Sequence, residues 1–136
     1  MSAETDIGRQ WVAKARSDLL NADNNLASGV VPCDTVCFHC QQAAEKMLKG
    51  ALAAMNVPPP RTHDLLLLLE LILPLFPGAE VLRDCLVILM PYSVAARYPD
   101  DDADPPSLAD AREARRCADR VSKWLAAEMP EVEQQG

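Results

Sequence analysis

Residue types able to do chemistry gather at five places along this chain. Arg97-Tyr98 joins a guanidinium, suited to bidentate phosphate binding, to a phenol, a poor base at neutral pH because phenols ionise near pH ~10. Two readings stay open there. The pair binds an anion, or Arg97 caps a helix C-terminus and meets a nearby aspartate while Tyr98 fills the edge of the fold. Gln41-Gln42-x-x-Glu45-Lys46-x-x-Lys49 puts Gln42, Glu45, Lys46 and Lys49 on neighbouring turns of a helix, as one polar patch. It reads either as a solvated face with a Glu45–Lys49 pair or as a buried group at a partner subunit or at Arg97. His63-Asp64 suits a helix start, where Asp64 favours the positive end of the dipole, with His63 also able to reach the polar patch or a second subunit.

Cys33, Cys37, His39 and Cys40 carry ligand types that zinc prefers. On a helix, however, His39 points about 100° away from Cys40, so a tetrahedral site would need local unwinding. Cysteine is also a common small core residue. The expectation is therefore no metal and no cofactor, with His39 at the surface or an interface. Finally, Arg112, Arg116, Arg120 and Lys123 lie within about 80° of one another around a helix. This basic stripe reads as a solvated face neutralised by Glu113, Asp119 and an acidic loop, as a phosphate-binding surface, or as a dock for an acidic partner.

These groups need helices to position them, and the periodicity supplies five. Trp11, Ala15, Leu19, Ala22 and Leu26 repeat at spacings of four and three, which predicts a first helix over about 5–27. After Gly29 and Pro32, two stripes run through 34–56: Cys37, Ala44, Leu48, Ala51 and Met55, then Val36, Cys40, Ala43 and Met47. A helix apolar on two sides belongs at the centre of a bundle. Past the triple proline 58–60, Thr62 is placed to cap a third helix over about 63–73. A fourth segment, about 79–96, contains Pro91 and should kink or break near Leu89–Met90. The acidic loop Asp100-Asp101-Asp102-Ala103-Asp104-Pro105-Pro106 leads to Ser107, the cap of a fifth helix over about 108–128, with the last residues fraying. Loops of a few residues between long helices favour an all-α, antiparallel up-and-down bundle.

Composition agrees with a folded chain. Its 136 residues suit one domain, 1–136, and 49% apolar against 24% charged residues lies outside the disordered regime. Thirteen Lys and Arg against 20 Asp and Glu give a net charge of −7, which opposes non-specific attraction to nucleic acid or anionic membrane. The N-terminal twenty residues carry charges throughout and lack the apolar core of a secretory signal, and no stretch reaches membrane-spanning length. With five cysteines, an odd number sitting in helical segments, reduced thiols and a cytoplasmic location are expected.

Three phrases in register carry a resemblance: Cys37-Phe38-His39-Cys40-Gln41-Gln42-Ala43-Ala44-Glu45-Lys46-Met47-Leu48-Lys49, Thr62-His63-Asp64-Leu65 and Ala96-Arg97-Tyr98-Pro99. Preceded by Trp11, Ala15, Asp18 and Leu19 and followed by an alanine-rich last helix, the order resembles the HEPN domain family over nearly the whole chain. The resemblance implies a helical bundle, commonly a homodimer, often paired with a minimal nucleotidyltransferase in toxin–antitoxin systems. It also implies that Gln42, Glu45, Lys46, Lys49, His63, Arg97 and Tyr98 bind a nucleotide, RNA or a partner protein. Many similar proteins are metal-independent ribonucleases whose motif is an Arg followed four to six residues later by a His. Here Arg97 is followed by Tyr98, Pro99 and aspartates, while the two histidines, His39 and His63, lie upstream. The cation for a developing negative charge is present and the usual base is not. The resemblance therefore implies an interaction or nucleotide-binding protein first, and an atypical ribonuclease using Arg97 and Tyr98 second.

Overall fold

The computed structural model describes residues 2–93 and 104–133. It is helical, without a strand among the described residues: α1 (Ala3–Leu26), α2 (Cys33–Ala54), α3 (Leu65–Ile72), a 3₁₀ turn (Pro77–Leu82), α4 (Arg83–Leu89), a second 3₁₀ turn (Met90–Tyr92), α5 (Leu108–Glu128) and α6 (Pro130–Glu133). The antiparallel bundle read from the periodicity is the observed architecture. Both predicted stripes of α2 are buried, apart from exposed Met55, and α2 packs against every other α-helix.

Local chemistry sets the helix limits. Ser2 accepts the Thr5 N–H, so α1 starts two residues earlier than expected. α2 ends in a Schellman motif: Asn56 adopts φ 60°, its N–H reaches the Ala53 carbonyl at 3.0 Å, and the Val57 N–H reaches that of Leu52 at 2.9 Å. The cap of α3 is Asp64, not Thr62. The Asp64 carboxylate accepts from the N–H groups of Leu66 and Leu67, whereas the Thr62 hydroxyl accepts from Asp64 N–H. The carboxylate serves two free N–H groups of the first turn and adds charge at the positive end of the dipole, so the helix starts at Leu65.

The expected fourth helix is split. Pro77 and Pro91 each sit at the start of a 3₁₀ turn, where their missing N–H costs nothing, leaving α4 as seven residues between them. Its expected continuation to residue 96 passes outside the described residues. Ser107 caps α5 as predicted, in a reciprocal box with Asp110 at 3.1 and 2.9 Å. The chain beyond α5 does not fray at once. Met129 and Val132 are buried, Arg9 donates to the Glu131 carbonyl at 2.7 Å, and Arg16 pairs with Glu133, which ties α6 to α1.

α1 and α2 approach closely where Gly8 and Gly50 face each other. A Cβ on Gly8 would stand 2.9 Å from both the Ala54 Cβ and the Gly50 carbonyl oxygen; one on Gly50 would stand 3.0 Å from the Gly8 carbonyl oxygen. Backbone cannot yield as a flexible side chain does. Overpacking of about 1–3 kcal/mol therefore outweighs the roughly 1 kcal/mol that alanine gains in helix propensity. Gly8→Ala is expected to lower the urea midpoint, while Gly29→Ala, with nothing within 4 Å of its Cβ, should leave it nearly unchanged. Equal midpoints for the two variants would show that the helices separate without cost.

Candidate functional site

The α1–α2 crossing sets two carboxylates against α2. Asp18 lies on the apolar side of α1, between Ala15 and Ala22, and is buried. One of its oxygens is 2.9 Å from His39 Nδ1 and the other accepts from Lys46 Nζ at 2.7 Å. Glu45, also buried, repeats this arrangement one turn of α2 further on and toward α3. Its Oε1 is 2.8 Å from His63 Nδ1, and its Oε2 accepts from Lys49 Nζ at 3.0 Å. Each carboxylate thus has one lysine and one imidazole, with every oxygen engaged.

The Glu45 group is the more enclosed of the two. Lys49, with 8% of its side chain exposed, sits under the Trp11 ring, its ammonium 5.6 Å from the ring centroid, so burial of the cation is eased by the π face. Gln41, fully buried, donates to Glu45 Oε1 and to the His63 carbonyl, both at 3.3 Å, and accepts from Gln42 at 2.7 Å. These bonds pin the loop before α3 onto α2. His63 itself has 55% of its side chain exposed. Because its Nδ1 is turned inward to Glu45, its Nε2 edge is the one left for a ligand.

The structure divides the single polar patch read from the sequence. Glu45, Lys49 and His63 come together on the α3 side with Gln41 and Gln42; Lys46 turns to α1 and Asp18. His39 is half-buried and held by Asp18. Arg97 and Tyr98 lie outside the described residues. Of the basic stripe, Lys123 pairs with Asp119 at 2.9 Å, whereas Arg112, Arg116 and Arg120 are exposed and have no ion pair among the described residues. Of the expected neutralisation, Asp119 therefore meets Lys123, Glu113 forms no ion pair with the three arginines among the described residues, and positions 100–103 of the acidic loop lie outside them. Asp18 and Trp11 were not singled out as site residues. A carboxylate within the apolar stripe of α1 was the available signal for Asp18; Trp11 gave none. Arg115 was also missed: it makes a bidentate pair with Asp23 of α1 at 2.7 and 3.2 Å, which holds its guanidinium above the usual range. Together with Arg116 and Asp119 this pair lines an open depression of about 480 Å³.

The five cysteines are free thiols, and among the described residues no group of His, Cys, Asp and Glu could hold a metal. Burial pushes the Cys37, Cys40 and Cys117 thiols up from 9.0 to about 12, and the Tyr92 phenol, which hydrogen-bonds Cys37, from 10.0 to about 12. Each of these groups holds its proton more tightly folded than unfolded. The stability this contributes is fully present below about pH 9 and is lost as pH rises from there toward 12. Unfolding followed by circular dichroism should accordingly show a steep decline in stability as pH rises above ~9; an unchanged midpoint at pH ~11 would contradict these buried protons.

Removing one member of the Glu45–Lys49 pair strands the other. Glu45→Ala is expected to cost about 3–5 kcal/mol in urea unfolding, and the double substitution Glu45→Leu/Lys49→Met less than that single change, because no charge is then left buried. A double variant at least as unstable as Glu45→Ala would mean that the pair itself, rather than the stranded charge, carries the energy.

No curated protein and no solved structure matches the chain. The HEPN domain family matches residues 9–129, from the first turns of α1 to the end of α5, and so takes in both carboxylate groups. On that match across most of its length, the chain belongs to the HEPN domain family.

Proposed function

We propose that this chain is a single-domain, cytoplasmic, nucleotide-binding interaction protein that works as a homodimer and as the partner of a minimal nucleotidyltransferase in a toxin–antitoxin-like pair. The observation that carries this reading is the Glu45 group. A buried carboxylate fixes His63 by Nδ1 and leaves an imidazole edge exposed, with the half-buried Gln42 linked to the same group through Gln41. An imidazole edge and an amide bind the phosphate or base of a nucleotide, and Arg97 adds the charge-assisted bond a phosphate needs. Commitment of every oxygen of Glu45 and Asp18 to internal partners supports binding over catalysis, since neither is free to act as a base. Absence of a His after Arg97 supports the same ranking. The closed symmetry usual for homo-oligomers gives the pairing an isologous form.

One observation favours a second reading, a metal-independent ribonuclease lacking the usual downstream His. A carboxylate-anchored imidazole with its other nitrogen exposed is the form in which His accepts a proton from an attacking hydroxyl. In that reading Arg97 and Tyr98 complete the site.

Titration calorimetry with ATP and AMP, beside an RNA cleavage assay in EDTA, separates the two. Arg97→Ala should weaken nucleotide binding by about 10- to 150-fold, the loss of one charge-assisted hydrogen-bonding group, with the melting curve unchanged. Wild type should leave RNA intact, and light scattering should give a dimer. RNA cleavage that disappears in both Arg97→Ala and Tyr98→Phe with folding preserved would replace the first reading with the second. A nucleotide affinity indifferent to Arg97 would remove the arginine from the site.

A further inference from the structure

The cations of this acidic chain are not evenly used. Arg9, Arg16, Lys46, Lys49, Arg83, Arg115 and Lys123 are each in an ion pair. Among the described residues that leaves Lys14, Arg61, Arg112, Arg116 and Arg120, and three of these five form one row on α5. At i, i+4 and i+8 the three guanidinium groups stand one helical turn apart, roughly 6 Å at each step. They are exposed, while the opposite face of α5, from Ala111 through Leu125, is core.

The rest of this outer face shows what fits against it. At its N-terminal end is Leu108, 39% exposed, with exposed Ala109 beside it; toward its C-terminal end Ala126 and Ala127 are exposed. Small and apolar residues at both ends of an arginine row let another helix backbone come close, and a row at i±4 spacing is a ridge that the groove of a second helix accepts. A phosphate backbone gains nothing from those alanines. Carboxylates at the same one-turn spacing on a partner helix, by contrast, meet each guanidinium singly and with bidentate geometry.

We infer that the outer face of α5, centred on Arg112, Arg116 and Arg120, docks an acidic amphipathic helix of another protein. The surface is built from α5 alone, so it stands or falls independently of the Glu45–His63 group and of the nucleotide reading.

Two fluorescein-labelled helical peptides of identical composition test it by anisotropy, one with glutamates at i, i+4 and i+8 among alanines and a leucine, the other with the same glutamates spread round the helix. The first should bind wild type about tenfold more tightly than the second, with affinity falling as salt rises. The triple variant Arg112→Gln/Arg116→Gln/Arg120→Gln should lose about that factor, whereas Lys14→Gln, removing an exposed cation of α1 that has no ion pair among the described residues, should lose none. Unlabelled oligouridylate should not displace the peptide. Equal binding of the two peptides, no binding by either, or an unaffected triple variant would overturn the inference. Displacement by oligouridylate would overturn it too, making the row a nucleic-acid surface.

Discussion

Both buried carboxylate groups of this bundle hang on how closely α1 approaches α2. Gly8 and Gly50 remove two side chains at the crossing, so that each backbone carbonyl oxygen lies 2.9–3.0 Å from where the other residue's Cβ would be. From that point the two helices run antiparallel in fixed register. One turn along, Trp11 covers Lys49; two turns further, Asp18 reaches Lys46 and His39. Had the helices stood apart, Lys49 would have met water and Glu45 would have had an exposed partner of little energetic weight. Close packing puts the pair in a medium where each member must be matched, and the remaining hydrogen-bonding capacity of Glu45 is met by Gln41 and His63. The orientation of the His63 ring is therefore the far end of a chain that starts with two glycines.

The parts of this arrangement that follow from short-range rules were readable in the sequence. Periods of three and four gave α1, α2 and α5; Ser107 gave the start of α5, and Pro91 gave the interruption after Leu89. Misplacement of the α3 cap had a local cause as well: Thr62 and Asp64 both have capping side chains, and only the Asp64 carboxylate reaches two N–H groups of the first turn, while the Thr62 hydroxyl accepts from Asp64 itself. Long-range pairing was not readable. Nothing around Lys46 indicates that it turns to Asp18 rather than joining Glu45 and Lys49, because the direction of a side chain on a half-buried helix is decided by the neighbour that covers it. α6 escaped notice for a related reason: four residues have too little periodicity to register, and their burial depends on Arg9 and Arg16, more than a hundred positions away.

Enclosure of Glu45 and Lys49 also bears on what the site can be for. A buried ion pair seldom adds net stability, because removing both charges from water costs about as much as their attraction returns. An apolar pair in the same space would hold α2 as well or better. It would not hold His63: the imidazole would lose its inward partner and the Gln41 amide one of its two acceptors, leaving the Gln41 bond to the His63 carbonyl as the remaining one of these ties to α2. What the pair supplies is a fixed ring edge at the surface, backed by a carboxylate that Lys49 keeps balanced. For binding, such preorganisation lowers the entropy lost when a ligand arrives; for proton transfer, it fixes the tautomer. The same scaffold thus serves either reading of the site, and the difference between them lies in what the chain sets opposite His63 rather than in the group that holds it.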